Sequence, residues 1–184
     1  MTTQKKPRLI GLTGTNSAGK GEAAAWFRSK GFAYHSLSDI IRDELRARGL
    51  EPSRDNLIRT GNELRAAFGP DVLARRTLDA VGTERAVIDS IRNTREVAFF
   101  RAQAKDDFVL LAIDAPVEVR FARSVTRGRD ESAATLDEFR AKEDVERGGN
   151  DWAQQLEACM AMADALVTND GTLEEFHAKL EKWL

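Results

Sequence analysis

The chain has 184 residues, with 28 Lys and Arg against 30 Asp and Glu, for a formal net charge of −2. That length suits one domain with a substantial core, and 42% hydrophobic with 32% charged residues excludes a disordered or fibrous chain. Near-neutral charge argues against non-specific nucleic-acid binding, apolar runs of at most six residues fall short of a membrane span, and a single cysteine, Cys159, excludes an internal disulfide.

In chain order, Arg8–Thr13 reads as a buried strand and Lys20–Lys30 as a helix stopped by Gly31. Phe32–Ser36 is a second strand. Ser38 is a plausible N-cap for a helix through Asp39–Arg48, and Ser53 caps the next, which ends before Gly69-Pro70. A helix from Asp71 to Gly82 leads into a brief strand, Ala86–Asp89, then a helix over Asn93–Ala104 and the apolar strand Phe108–Asp114. Pro116 suits the first turn of the following helix, and Arg127–Ala134 is an unpatterned polar loop. Helices over Leu136–Arg147 and Trp152–Ala163 follow, separated by Gly148-Gly149. Ala165–Thr168 is the last strand, and Thr172 caps a closing helix. The alternation predicts an α/β, three-layer fold with an approximately five-stranded parallel sheet covered on both faces.

The segment from Gly14 through Thr15, Asn16, Ser17, Ala18, Gly19 and Lys20 to Gly21 has the G-x4-G-K spacing of a phosphate-binding loop between a strand and a helix. Glycines let backbone N–H groups converge on phosphate oxygens, the helix N-terminus adds positive charge, and Lys20 reaches the outer phosphates. Gly21 stands where a Ser or Thr hydroxyl commonly meets Mg²⁺, and Glu22 follows it. That carboxylate would either repel a triphosphate or hold the metal through water.

The G-K-G ending resembles the adenylate kinase branch of the P-loop nucleoside monophosphate kinases. The run from His35 through Ser36, Leu37, Ser38, Asp39, Ile40 and Ile41 to Arg42 is similar to the segment of those kinases whose arginine grips the acceptor phosphate. Ile88-Asp89-Ser90-Ile91-Arg92 resembles their strand-three motif. By that resemblance Asp89 orients Mg²⁺ through water and Arg92 holds the acceptor phosphate. Arg123 and Arg127, spaced after Asp114-Ala115-Pro116 like lid arginines, are implied to meet the adenine and the transferring phosphate, with Arg129 a weaker addition. Gln155, Ala163-Asp164 and Asn169-Asp170-Gly171-Thr172 instead look like dephospho-coenzyme A kinase, which would set Asn169 to Gly171 beside the base. The D-A-D pattern of that family is replaced here by Ser36-Leu37-Ser38-Asp39. Uncharacterised kinase-like proteins with a G-T-N-x-A-G-K-G loop resemble the chain most, and a similar domain occurs in some deoxycytidylate deaminases.

These resemblances imply an ATP- and Mg²⁺-dependent kinase acting on a small-molecule nucleotide acceptor. The expected domain is 1–184, with an acceptor-binding helical region over about 38–82 and a lid over about 127–150 hinged at Gly128. It is expected to be cytoplasmic, and a monomer or homodimer, with neither nucleic acid nor membrane as partner. The proposed catalytic set is Lys20, Arg92 and Arg127, with Ser38, Asp39, Arg42, Asp89 and Arg92 at the acceptor. A hydroxyl acceptor would need a base, for which Asp39 is nearest, and a nucleotide-binding regulator without turnover is the non-enzymatic alternative. Plainer readings cover the remainder. Arg46, Arg48, Arg75, Arg76, Arg85 and Arg101 are solvated helix surface; Arg59 and Arg65 line the acceptor pocket or face solvent, with Asn62 between them. Asp114 is structural, Glu143, Asp144 and Glu146 form a solvated acidic face, and His35 and His177 lack the partners of a zinc site.

Overall fold

Leu9, Ile10 and Leu12 are all fully buried, so the first strand has no solvent face and must be covered on both sides. A computed structural model describes residues 7–127, 134–147 and 155–184, without the side chains of 127, 142 and 145–147. Its elements run β1 (Leu9–Gly14), α1 (Lys20–Ser29), β2 (Ala33–Ser36), α2 (Leu37–Ala47), α3 (Arg54–Phe68), α4 (Val72–Val81) and β3 (Ala86–Asp89). They continue as α5 (Thr94–Ala104), β4 (Phe108–Asp114), α6 (Val117–Arg127), α7 (Leu136–Arg147), α8 (Leu156–Ala161), β5 (Ala165–Thr168) and α9 (Leu173–Glu181).

The five strands pair in the order β2-β3-β1-β4-β5, and every pairing is parallel. Connections from the central β1 therefore leave in opposite directions, to β2 and β3 on one side and to β4 and β5 on the other. Such a reversal opens a crevice at the C-terminal strand ends. One core cluster joins the sheet to α2, α4 and α5, with Leu37, Leu45, Leu73 and Phe100 buried. The other packs Phe27 of α1 and Phe176 and Leu180 of α9 on the opposite face. The described residues contain no helix long and apolar enough to cross a membrane.

Most expected elements form, and the differences are local. Ser36, not Ser38, is the N-cap of α2: its hydroxyl accepts from Ser38 N at 3.3 Å, and the helix begins at Leu37. Ser53 and Thr172 cap α3 and α9 as read, Thr172 through a reciprocal bond with Glu175. Arg127 ends α6 rather than opening a loop, and α8 begins at Leu156. Gly128, Arg129, Gly148, Gly149 and Trp152 lie outside the described residues.

A buried ion pair corrects the reading of Arg65. Its helix face carries Gly61 and Leu64 into the core, and Arg65 goes with them to 3% exposure against a fully buried Glu96. Arg65 Nε and Nη2 donate to Glu96 Oε1 at 3.0 and 2.8 Å. The other oxygen, Oε2, accepts from Arg92 N and Asn93 N, each at 3.0 Å. All four bonds matter, because a buried carboxylate is tolerable only when both oxygens are satisfied. Replacing Glu96 by Ala strands the Arg65 charge and should cost about 3–5 kcal/mol, measured by urea unfolding.

Cys159 is buried near the same pair. Burial, reinforced by the Glu96 charge and partly offset by Arg65, pushes its thiol from 9.0 up to about 12. The folded pKa is raised, so this contribution to stability is complete below pH 9 and declines as pH rises from there towards 12. At neutral pH a thiol reagent should label Cys159 only when the chain opens; labelling of the native protein at the rate of a free thiol would contradict this burial.

Candidate functional site

The loop between β1 and α1 turns on two glycines with left-handed backbone. Gly14 has φ 128° and Gly19 φ 113°, and a Cβ on either would collide with a neighbour: Ile113 O for Gly14, Asn169 Nδ2 for Gly19. Ser17 also has positive φ, at 59°, an unusual state for a serine that concentrates at ligand sites. Lys20 Nζ donates to Gly14 O and Thr15 O, both at 2.8 Å, so its ammonium lies folded along the loop it would serve. Gly21 has open space around it, with nothing within 4 Å of a built Cβ. Glu22 faces α9. Its Oε1 lies 3.0 Å from His177 Nε2 on α9, so the carboxylate ties two helices together.

The ends of β4 and β5 hold the loop. Thr15 Oγ1 donates to Asp114 Oδ1 at 2.6 Å, while the Asp114 carbonyl accepts from Asn169 N at 2.7 Å. Asn169 is buried and returns its Nδ2 to Ala18 O at 2.8 Å. Arg123 of α6 joins them, donating to Asn169 O at 3.1 Å and to Ala18 O at 3.4 Å. Asp114 and Asn169 thus clamp Thr15 and Ala18 from the sheet. Gly171, by contrast, is exposed and sits against Glu175 of α9.

The second half of the crevice lies at the ends of β2 and β3. Asp89 Oδ1 accepts from Ser90 N at 2.6 Å, and Ser90 has φ 68°. Three hydroxyls meet here: Ser38 Oγ lies 2.9 Å from Ser36 Oγ and donates to Ser90 Oγ at 2.8 Å. The Tyr34 phenol is pushed above its ordinary value, by burial first and the Asp89 charge second. Asp39 and Arg42 are exposed and form an i,i+3 pair at 2.9 Å. Arg92 reaches across, its Nη2 donating to Asn16 Oδ1 of the loop at 3.4 Å. Its backbone is fixed from both sides, N to Glu96 and O from Gln155 N at 2.7 Å.

Thr15, Ala18, Lys20, Asp114, Asn169 and Arg123 are therefore joined in one contact network, and Arg92 meets the same loop at Asn16. The Asp39–Arg42 pair stands on the exposed face of α2, and the side chain of Arg127 lies outside the described residues. Two buried residues of the region escaped the sequence reading. Arg120 of α6 is paired with Glu143 of α7, which is buried rather than part of a solvated acidic face; Asp144 beside it is exposed. Phe139 and Glu143, four residues apart and both buried, carry the one pattern that could have revealed it.

This geometry is that of a P-loop kinase-like fold, with a phosphate-binding loop at the centre of a five-stranded parallel sheet. A family described as "AAA domain" matches residues 13–140. A UPF0200 protein of Methanoculleus marisnigri is 36% identical over 180 residues, covering 96% of this chain and 95% of that one. Another from Methanothrix thermoacetophila is 36% identical over 176 residues, covering 94% of each. The chain belongs to this AAA domain family and to the UPF0200 proteins. An Archaeoglobus fulgidus relative, named UPF0200/UPF0201, is 34% identical, and the match spans 55% of its length. Among solved structures, TT1252 from Thermus thermophilus is similar at TM-score 0.62 and 21% identity, over 97% of this chain and 96% of that one. A shikimate kinase from Bacteroides thetaiotaomicron is similar at TM-score 0.60 and 16% identity, over 95% and 96%. These last two likenesses concern the fold.

The two loop glycines make opposite predictions. Gly19→Ala adds a methyl into Asn169 in a left-handed backbone and should abolish binding of a fluorescent ATP analogue. Gly21→Ser enters open space and should leave that binding within about twofold.

Proposed function

We propose that this chain is an ATP-dependent phosphotransferase whose acceptor is a nucleoside monophosphate. One contact carries the reading: Arg92, at the end of β3, reaches Asn16 of the phosphate loop, so a cation on the acceptor side lies at the cradle for the donor. Lys20 and the loop amides hold the outer phosphates of ATP, with Lys20 exchanging its two carbonyl partners for phosphate oxygens. Arg42 leaves Asp39 to share the acceptor phosphate with Arg92, an exposed i,i+3 pair being cheap to break. Arg123 lies at the adenine beside Asn169, and Arg127 serves the transferring phosphate from the end of α6. An anionic acceptor phosphate needs no general base. In-line positioning and charge neutralisation carry the chemistry.

Mg²⁺ fits the donor set. It keeps several waters and binds through one or two carboxylates plus substrate phosphates, and Asp89 supplies a half-buried carboxylate at the end of the strand next to β1. The described residues contain no group of three or more His, Cys, Asp or Glu for a self-sufficient metal site. When bound, the ion neutralises charge on the outer phosphates; Asp89 would hold it through water, with its Oδ1 fixed by Ser90 N.

A hydroxyl acceptor is the second reading, supported by the meeting of Ser36, Ser38 and Ser90 hydroxyls at this edge. Proteins of similar fold include kinases named for shikimate and gluconate. Asp39 would then be the base.

The test is ADP formation from ATP and Mg²⁺ across ribo- and deoxyribonucleoside monophosphates, with dephospho-coenzyme A, shikimate and gluconate alongside. Turnover on a monophosphate is expected, reduced at least about 100-fold in Lys20→Ala and Arg92→Ala. Turnover confined to a hydroxyl acceptor, or none on any acceptor, contradicts the proposal.

A further inference from the structure

Arg120 and Glu143 form a buried ion pair between α6 and α7 that the proposed chemistry does not use directly. Arg120 is 3% exposed and its Nη1 donates to Glu143 Oε1. The pair is not isolated. Arg120 Nε donates to Ala115 O at 2.8 Å and lies 3.7 Å from Asp114 Oδ1. That same Asp114 oxygen accepts the Thr15 hydroxyl at 2.6 Å, and the Thr15 carbonyl is one of the two on which Lys20 rests. An unbroken series of charged and hydrogen-bonded groups thus runs from α7 through α6 and the end of β4 into the phosphate loop.

Two features separate this from ordinary helix packing. First, Glu143 Oε2 is buried and has no hydrogen-bond partner among the described residues, so the carboxylate is imperfectly satisfied where it stands. A pair kept only for stability is readily replaced by apolar residues, and an unsatisfied buried oxygen calls for another explanation. Second, Arg120 neutralises Asp114 at the oxygen by which that carboxylate touches the loop. An unneutralised carboxylate there would oppose arriving phosphate. The Phe139 ring, 5.7 Å from the Arg120 guanidinium, closes the arrangement on the α7 side.

We propose that Arg120 is a positioning residue for the nucleotide site: gripped by Glu143, it orients Asp114 against Thr15 and so couples the seating of α7 to the geometry of the phosphate loop. This rests on the loop binding a nucleotide, as the proposed function requires. It does not depend on which acceptor is used. Arg120 touches no substrate, and its effect passes through Asp114.

The test is a double-mutant cycle between Thr15→Val and Glu143→Gln, read as ATP affinity of the full chain by calorimetry, with thermal melting alongside. Among the described residues, Thr15 and Glu143 are linked through Arg120 and Asp114. Each single change should weaken ATP about fivefold, and the double variant should lose no more than the worse single one. Asp137→Asn, on the exposed face of α7, should leave affinity unchanged. Arg120→Lys should retain part of the affinity that Arg120→Met loses. Multiplicative losses in the double variant, or a Glu143→Gln protein that melts lower but binds ATP normally, would overturn the coupling and leave a packing role. ATP binding without transfer to any acceptor would contradict the phosphotransferase reading alone, whereas no binding at all by the unmodified chain would overturn both.

Discussion

The site depends on a steric constraint at two glycines. The chain leaves β1 so close to the ends of β4 and β5 that Gly14 cannot carry a Cβ past Ile113 O, nor Gly19 past Asn169. Positive φ at both positions turns the backbone into a loop within hydrogen-bond reach of Asp114 and Asn169. Those two residues are the last of β4 and the first after β5, so the sheet order itself puts them there. With side chains at the glycines, the loop would have to lift away from the sheet, and its amides and the first turn of α1 would no longer converge.

On the opposite side of β1 the constraint is electrostatic. Glu96 is fully buried, and its two oxygens divide between the Arg65 guanidinium and the backbone N–H groups of Arg92 and Asn93. The carboxylate therefore caps α5 and holds the backbone from which the Arg92 side chain reaches Asn16. A core ion pair of this kind is weak evidence for stability but fixes position well. In the proposed reaction its purpose is placement of an acceptor-side cation at the donor cradle.

The sheet was legible because β1, β3, β4 and β5 are short apolar runs, β2 following from the strand–helix alternation, and the loop because G-x4-G-K leaves little freedom between a strand and a helix. Ser53 and Thr172 were legible as caps from local sequence alone. Arg65, Arg120 and Glu143 were not. A charged residue on a helix is ordinarily solvated, and only the position of a partner far away in sequence decides otherwise; 31 residues separate Arg65 from Glu96, and 23 separate Arg120 from Glu143. Ser36 displaced Ser38 as a cap because β2 runs directly into α2 without a connecting residue. Glu22 shows the same limit: the sequence put a carboxylate beside the loop, and only the packing of α9 on α1 showed that it faces His177.

Amide hydrogen exchange over residues 14–22, with and without ATP and Mg²⁺, tests the central claim most directly, because it reads the loop backbone itself. Added nucleotide should slow exchange in the loop and the first turn of α1, and less strongly at Asn169 and Arg92, while the rest of the sheet is unchanged. Exchange in the loop that is indifferent to nucleotide, in a protein whose sheet remains fully protected, would mean that these glycines build a turn and not a phosphate site.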